Sequence, residues 1–176
     1  MSYSQAILPE FEREVVRTRA VLERIPDDKH DWRPHPQSNT IGWQANHLAD
    51  ILEWVENILT EPSFDVAPKD GEPFKTSEYA TTREILAAFD RNVVTARKAL
   101  EAATDEVVAQ PWSLLAGGEP LMTMPRETVV RDFALNHTVH HRAVLSLCFR
   151  MAGIPVPDIY GPSGEPEVDA SGKPVV

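Results

Sequence analysis

Half of the histidines in this chain lie within five residues of each other, in the segment 136–145, NHTVHHRAVL. They are His137, His140 and His141. Residues four apart on an α-helix share one side, with Cβ atoms about 6 Å apart, and this spacing lets two imidazoles hold one metal ion. His137 and His141 form such a pair, and His140 is the alternative partner of His137 at i+3. The segment therefore predicts part of a metal site.

A second predicted helix offers a further imidazole. In the segment 40–60, His47 lies centrally on the predicted core-facing stripe, which also contains Trp43, Ile51, Trp54 and Ile58. On the last helix, His137 takes the same central position in an apolar stripe. If the two stripes face each other, three imidazole nitrogens converge in an apolar interior. Metal sites are commonly built in this way between the facing helices of a bundle.

Two alternatives bear on this interpretation. A single buried histidine is ordinarily satisfied by hydrogen bonds, so packed neutral histidines are the structural alternative. Three uncharged bases buried together would each need a partner, which favours a shared cation. A zinc peptidase of the H-E-x-x-H type is not indicated, because Thr138 stands where that motif has its glutamate.

Five further residues could take part in chemistry, but the sequence assigns them less specific roles. Asp50, one turn after His47, is predicted either to orient a ligand or act as a base, or to be a solvated carboxylate at the helix edge. Arg142 is predicted on the far side of its helix, in a salt bridge or a dimer contact. Cys148 is predicted to be a buried, inert thiol. His30 and His35, in the polar loop DKHDWRPHP, are predicted to be solvated.

The elements that position these residues follow from hydrophobic periodicity, which predicts long helices at about 4–25, 40–60, 82–103 and 126–153. Ser38 or Asn39 is expected to cap the second helix, and Gly153 to end the last. The connection 61–80 is long enough to cross over a bundle. Residues 104–124 are predicted to hold a helical turn and then a hairpin around Gly117-Gly118.

Composition limits the class of protein. The chain has 176 residues, 42% of them hydrophobic and 25% charged, the balance of an ordinary globular domain. Its net charge of −10 argues against nucleic acid as a partner. The sequence shows no signal-peptide pattern and no apolar run near the roughly 20 residues that span a membrane. One cysteine fits a reducing compartment, so we expect a cytoplasmic protein with no membrane partner.

Two stretches carry a family resemblance. DWRPHP followed by GWQANHLADILEW, and NHTVHHRAVLSLCFRMAGIPVPDIYGP near the end, resemble the DinB-like (YfiT-like) family of metal-dependent helical proteins, over roughly residues 5–162. The resemblance implies an all-α four-helix bundle with up-down-down-up topology. It also implies one divalent metal ion, zinc or nickel, on His47, His137 and His141. His140 matches a neighbour that does not bind the metal.

The resemblance implies a range of activities. Some members of the family are thiol-dependent S-transferases using low-molecular-weight thiols, and others are regarded as hydrolases. The predicted function is therefore a metal-dependent enzyme that activates a thiol or water against a small electrophilic substrate. The alternative is a non-catalytic metal-binding or ligand-binding protein related to stress.

The resemblance and the periodicity also bear on assembly and boundaries. The predicted domain covers residues 1–162, and the Pro-rich segment 163–176 is predicted to be a poorly ordered tail. Homodimers recur in the family. On a helical wheel, Leu135 and Val139 lie about 160° from His137, which predicts that a second subunit or another packed segment covers them.

Overall fold

The long helices lie close to the predicted positions in the computed structural model, which describes residues 1–166. The chain is mostly helical. The helices are α1 (Tyr3–Leu22), α2 (Ile41–Asp50), α3 (Glu53–Thr60), α4 (Thr82–Ala102), α5 (Asp105–Val108), α6 (Arg126–Val129) and α7 (His137–Ala152). A π-helical segment, Val130–Asn136, joins α6 to α7, and a 3₁₀ turn follows α1 at Asp27–Lys29.

Local residue chemistry explains where these helices begin and end. Thr40, rather than Ser38 or Asn39, caps α2, because its hydroxyl accepts a hydrogen bond from the Trp43 N–H. The single helix predicted over 40–60 is in fact two, α2 and α3, separated by a turn at 51–52. The predicted end at Gly153 is confirmed, since this residue has a φ of 73°, the left-handed conformation typical of a residue that follows a helix.

The helices pack around one core. α1 contacts α4 and α7, and α2 contacts the same two helices from the opposite side. The three- and four-residue spacing of apolar residues predicts one buried face of α4. Its five residues are all buried: Ile85, Phe89, Val93, Ala96 and Leu100. Within residues 1–166, none of the helices combines the length and apolar character needed to cross a membrane. The arrangement brings α2 directly against α7, the two helices that carry the histidines.

A small sheet corrects the all-α prediction. Its strands, in sheet order, are β1 (Ser63–Asp65), β2 (Pro111–Ala116) and β3 (Glu119–Pro125). β2 and β3 form the predicted hairpin, and its turn residues Gly117 and Gly118 have φ values of 61° and 83°. β1 pairs parallel to β2 and was not predicted, because three residues are too few to show an alternating pattern.

The C-terminal part of the described chain folds back onto the helices. Ile154 is buried in the core. The hydroxyl of Tyr160 donates to Glu14 on α1. Of the predicted tail, Ser163 and Glu165 accept hydrogen bonds from Arg150 on α7. Residues 167–176 lie outside the described residues.

The apolar surface that motivated a dimer is partly covered within the chain. Leu135 is buried and lines a small internal space with Phe11 and Val15 of α1 and Phe89 of α4. The helix-wheel argument for a partner therefore does not apply to Leu135.

Candidate metal centre

Three histidine side chains from two helices meet at one point. His47 comes from α2, and His137 and His141 come from the first two turns of α7. One ring nitrogen from each lies within 4.8 Å of the others. The Nε2 atoms of His137 and His141 are 2.8 Å apart, and those of His47 and His137 are 3.4 Å apart. The structure thus brings together the three residues that the sequence predicted as ligands.

Hydrogen bonds on the far sides of two rings fix which nitrogen faces the centre. His141 Nδ1 lies 2.6 Å from Gln44 Oε1, an amide oxygen that can only accept, so this nitrogen carries the proton. The His137 ring donates to the backbone of Phe133, one turn earlier. Metal-binding histidines usually use their second nitrogen in this way, which fixes the tautomer and the ring orientation.

The consequence is a set of lone pairs aimed at each other. A neutral imidazole has one N–H and one lone pair, so His137 and His141 each present a bare Nε2 to the centre. At 2.8 Å, two bare nitrogens repel unless a cation lies between them. Two nitrogens bound ~2.0–2.1 Å from one tetrahedral zinc ion lie roughly 3.3 Å apart, close to the His47–His137 separation of 3.4 Å. These three residues could hold a divalent metal ion.

The electrostatics keep the rings uncharged and able to coordinate. Burial, followed by the neighbouring His137, lowers the pKa of His47 to about 4. Burial, followed by the other histidines, lowers the pKa of His141 to about 3. Burial also lowers the pKa of His137, against the opposing effect of its bond to Phe133. All three are therefore neutral at pH 7, the form that binds metal.

These lowered pKa values predict that the metal-free protein loses stability as the pH falls from about 6.5 toward about 4. In that range the unfolded chain, whose histidines have pKa values near 6.5, takes up protons that the folded chain does not. The stability that depends on uncharged histidines is fully present above pH 6.5. It is lost as the pH falls toward the pKa values that these histidines have in the folded protein. Urea unfolding across this range measures it, and His47→Gln should flatten the dependence. An equal effect of His140→Gln, at an exposed site, would contradict the assignment.

Trp43 forms one wall of the centre. Its ring stacks on His47, with centroids 4.8 Å apart and planes 25° from parallel, and lies at a tilt to His141 at 5.9 Å. Its exposed fraction is 36%. Trp43 also lines a cavity of about 700 Å³ between the start of α2 and residues 75–80. The Trp43 indole thus contacts His47 and His141 and also lines this cavity.

Two polar residues of α2 hold the far wall of that cavity in place. The Asn46 side chain accepts from the Tyr79 N–H, and Asp50 Oδ2 accepts from the Ser77 N–H at 2.7 Å. Asp50 is only 3% exposed, and its other oxygen is buried without a partner. Burial raises its pKa. The interpretation of Asp50 as a solvated carboxylate at the helix edge is therefore wrong. Its buried side chain binds the connection 61–80 to the helix that carries His47.

The remaining sequence assignments have mixed outcomes. His140 is exposed, with its ring edge against His141 at a centroid distance of 4.9 Å. Arg142 makes the predicted salt bridge, but it is 1% exposed, bonded to Glu14 of α1, and not on an outer face. Cys148 is a buried free thiol, as predicted, and burial raises its pKa.

The two loop histidines also differ from each other. His35 is exposed, as predicted. His30 is half-buried, since its Nε2 lies 3.1 Å from Thr82 Oγ1 at the start of α4 and its carbonyl accepts from the Gly42 N–H. The solvated interpretation of His30 is therefore wrong.

Sequence reasoning missed Gln44 and Phe133 as partners of the ligands. Gln44 lies three residues before His47 and Phe133 four residues before His137, so both were at helical spacing from a predicted ligand. The signal was available for Gln44, because a glutamine among core-facing residues requires a hydrogen-bond partner. Phe133 contributes only its backbone, which no side-chain pattern reveals.

Comparison with known proteins identifies the family. A sequence profile of the DinB superfamily matches residues 10–145. The chain belongs to the DinB superfamily. Its fold is similar to that of a DinB-like protein from Bacillus cereus, with a TM-score of 0.67, 20% identity, and coverage of 89% of this chain and 97% of the other.

A second solved structure gives the same result. This DinB-superfamily chain is similar to a DinB-like protein (YjoA) from Bacillus subtilis, with a TM-score of 0.65, 16% identity, and coverage of 89% and 99% of the two chains. At these identities the similarity concerns the fold. No functionally curated protein matches the sequence.

Proposed function

We propose that this protein is a metal-dependent enzyme that activates a thiol or water against a small electrophilic substrate, as a thiol S-transferase or a hydrolase. The observation that supports this proposal is the convergence of three neutral imidazoles, with the Nε2 atoms of His137 and His141 2.8 Å apart and those of His47 and His137 3.4 Å apart. A divalent ion bound by three protein nitrogens keeps at least one open coordination position, as the metal does in catalytic zinc sites. Zinc or nickel is the proposed metal.

The chemistry that a divalent ion supplies on such ligands is Lewis-acid activation of water or of a thiol at neutral pH. The protein side chains have separate tasks. Gln44 and Phe133 orient the His141 and His137 rings. Trp43 shields one side of His47 from water. The cavity beside Trp43, with mixed polar and apolar lining, is of a size typical for small ligands.

Cobalt substitution tests this proposal. A low-molecular-weight thiol is expected to change the visible spectrum of the cobalt-loaded protein, because sulfur ligation alters the electronic transitions of the metal. Thiol-dependent turnover of an electrophile panel would support the transferase, and turnover without thiol would support the hydrolase. A cobalt spectrum that is unchanged by thiols, together with no turnover of the panel, would instead support a non-catalytic metal-binding role.

We also propose that the protein is a homodimer. The support is an exposed pair on α7, Leu147 and Met151, which are 63% and 56% exposed and lie one turn apart. Sedimentation of the wild-type protein and of a Leu147→Glu, Met151→Glu variant distinguishes a dimer from a monomer.

A further inference from the structure

A cleft between α3, β1 and the connection 61–80 is lined by three aromatic rings and two polar side chains. Its lining residues are Glu53, Trp54, Asn57, Phe64 and Phe74, and its volume is about 170 Å³. At ~30 Å³ for each water-sized group, this is room for roughly five or six non-hydrogen atoms. The cleft therefore accommodates one small headgroup rather than a whole drug-sized ligand.

The three rings come from different parts of the chain and meet at steep angles. The Trp54 centroid is 5.0 Å from that of Phe64 and 5.3 Å from that of Phe74, and the two phenylalanines are 5.8 Å apart. The interplanar angles are 59°, 74° and 84°. Aromatic faces carry negative electrostatic potential and attract cations within about 6 Å. Phe74 is 39% exposed, so an incoming group can reach the cluster from solvent.

The polar groups of the cleft have the same electrostatic sign as the ring faces. Glu53 contributes a carboxylate, of which one oxygen accepts from Asn92 at 3.2 Å. Asn57 contributes an amide oxygen that is buried without a hydrogen-bond partner. None of the five lining residues is basic. Partial burial and then the nearby Asp50 raise the pKa of Glu53, against the opposing effects of Asn92 and Arg91. A positive charge beside this carboxylate would be favourable.

We infer that this cleft binds a small methylated ammonium group. The rings would contact its methyl groups and attract its charge, Glu53 would neutralise that charge, and the amide oxygen of Asn57 would add a partial negative charge. A neutral apolar group would leave the buried amide oxygen of Asn57 without a partner, and an anion would be repelled by this oxygen and by the Glu53 carboxylate.

The cleft has a defined relation to the histidines. Trp54 follows His47 by seven residues, and its ring lies 6.4 Å from that of Phe133, whose backbone bonds the His137 ring. The cleft and the centre are thus connected through Phe133, although none of the three histidines lines the cleft. The binding itself requires no metal, so the inference goes beyond the proposed function and can be tested separately.

Choline and its neutral isostere, in which a tert-butyl group replaces the trimethylammonium group, are suitable probes. Each is titrated into metal-free and metal-loaded protein while the Trp54 indole N–H is followed by NMR, the signal being assigned by its loss in Trp54→Phe. Choline is expected to shift this signal saturably and to bind roughly 3- to 30-fold more tightly than the isostere, the range typical of cation–π attraction.

Variants at the rim provide the controls. Glu53→Gln keeps the shape of the side chain and is expected to weaken choline binding several-fold with no effect on the isostere. Phe74→Leu keeps an apolar residue and should weaken choline more than the isostere. Glu56→Gln, at an exposed position on the same helix and outside the lining, should change neither. Equal binding of the two probes, unchanged binding in Glu53→Gln, or a Trp54 signal that choline does not shift would overturn the inference.

Discussion

Alanine at position 47, 137 or 141 is expected to remove most of the bound divalent metal. Each of His47, His137 and His141 directs a ring nitrogen at the same point, and a site with three protein ligands loses much of its affinity when one is removed. The measurement is elemental analysis of protein purified without a histidine tag or a chelating column. The free energy of unfolding of each metal-free variant serves as the check that the fold is kept.

Two further variants make this series decisive. His140→Ala should retain the metal, because that ring is exposed and lies outside the cluster. Gln44→Ala removes the acceptor for His141 Nδ1 and should weaken metal binding about 10–100-fold without abolishing it. Metal loss in His140→Ala with full occupancy in His141→Ala would reverse the assignment, and full occupancy in His47→Ala would exclude a site shared between the two helices.

The largest expected effect on stability belongs to Glu14→Ala, which should lower the free energy of unfolding by about 3–5 kcal/mol, because it leaves a buried charge without its partner. Arg142 is 1% exposed, and its guanidinium bonds the Glu14 carboxylate. Burial acts to raise the pKa of Glu14, but hydrogen bonds from Tyr160 and Arg142 outweigh it and hold the pKa below its ordinary value. Chemical denaturation at neutral pH measures the loss.

A more exposed ion pair, between Glu12 of α1 and Arg97 of α4, is the matched control. Glu12 pairs with Arg97 with both side chains at least one-third exposed, so Glu12→Ala should cost less than about 1 kcal/mol. Replacing both members of the buried pair, as Glu14→Leu with Arg142→Met, should recover part of the loss, because no buried charge is then left alone. Similar losses for Glu14→Ala and Glu12→Ala would show that the buried pair has no special role.

The parts of the fold predicted from the sequence are those in which one regular pattern continues without interruption. All five predicted core positions of α4 are buried, because a straight helix of 21 residues keeps a constant phase. The Gly117-Gly118 turn was predicted because both residues adopt a positive φ that glycine tolerates. The three candidate ligands were found because imidazoles at helical spacing in apolar surroundings are distinctive on both α2 and α7.

The predictions of which residues are buried were wrong where the regular helical pattern is interrupted. A uniform rotation of about 100° per residue places His137 at the centre of the apolar stripe of α7. In the structure, His137 is half-buried at the edge, Met151 is exposed, and the buried row contains Thr138, His141, Arg142, Leu145, Cys148 and Phe149. The π-helical segment before α7 changes the phase, and the turn at 51–52 does the same after α2.

The shift of these residues from the centre of an apolar stripe to its edge has a consequence for function. Trp43 is also less buried than the predicted stripe of α2 requires. His47 and His137 are therefore half-buried at the edges of two apolar faces, whereas His141 lies in the buried row. A site at such an edge combines dry walls on one side with access for a small molecule on the other.

The π-helical segment Val130–Asn136 holds a surplus residue just before the centre. The N–H of His137 bonds the carbonyl of Asp132, five residues earlier, so this stretch contains more residues per turn than an α-helix. Loss of one residue there would let the segment rewind to α-helical geometry, so His137 and His141 would keep roughly their direction toward His47. For this centre, a single-codon deletion within this stretch is therefore expected to leave both ligands in place.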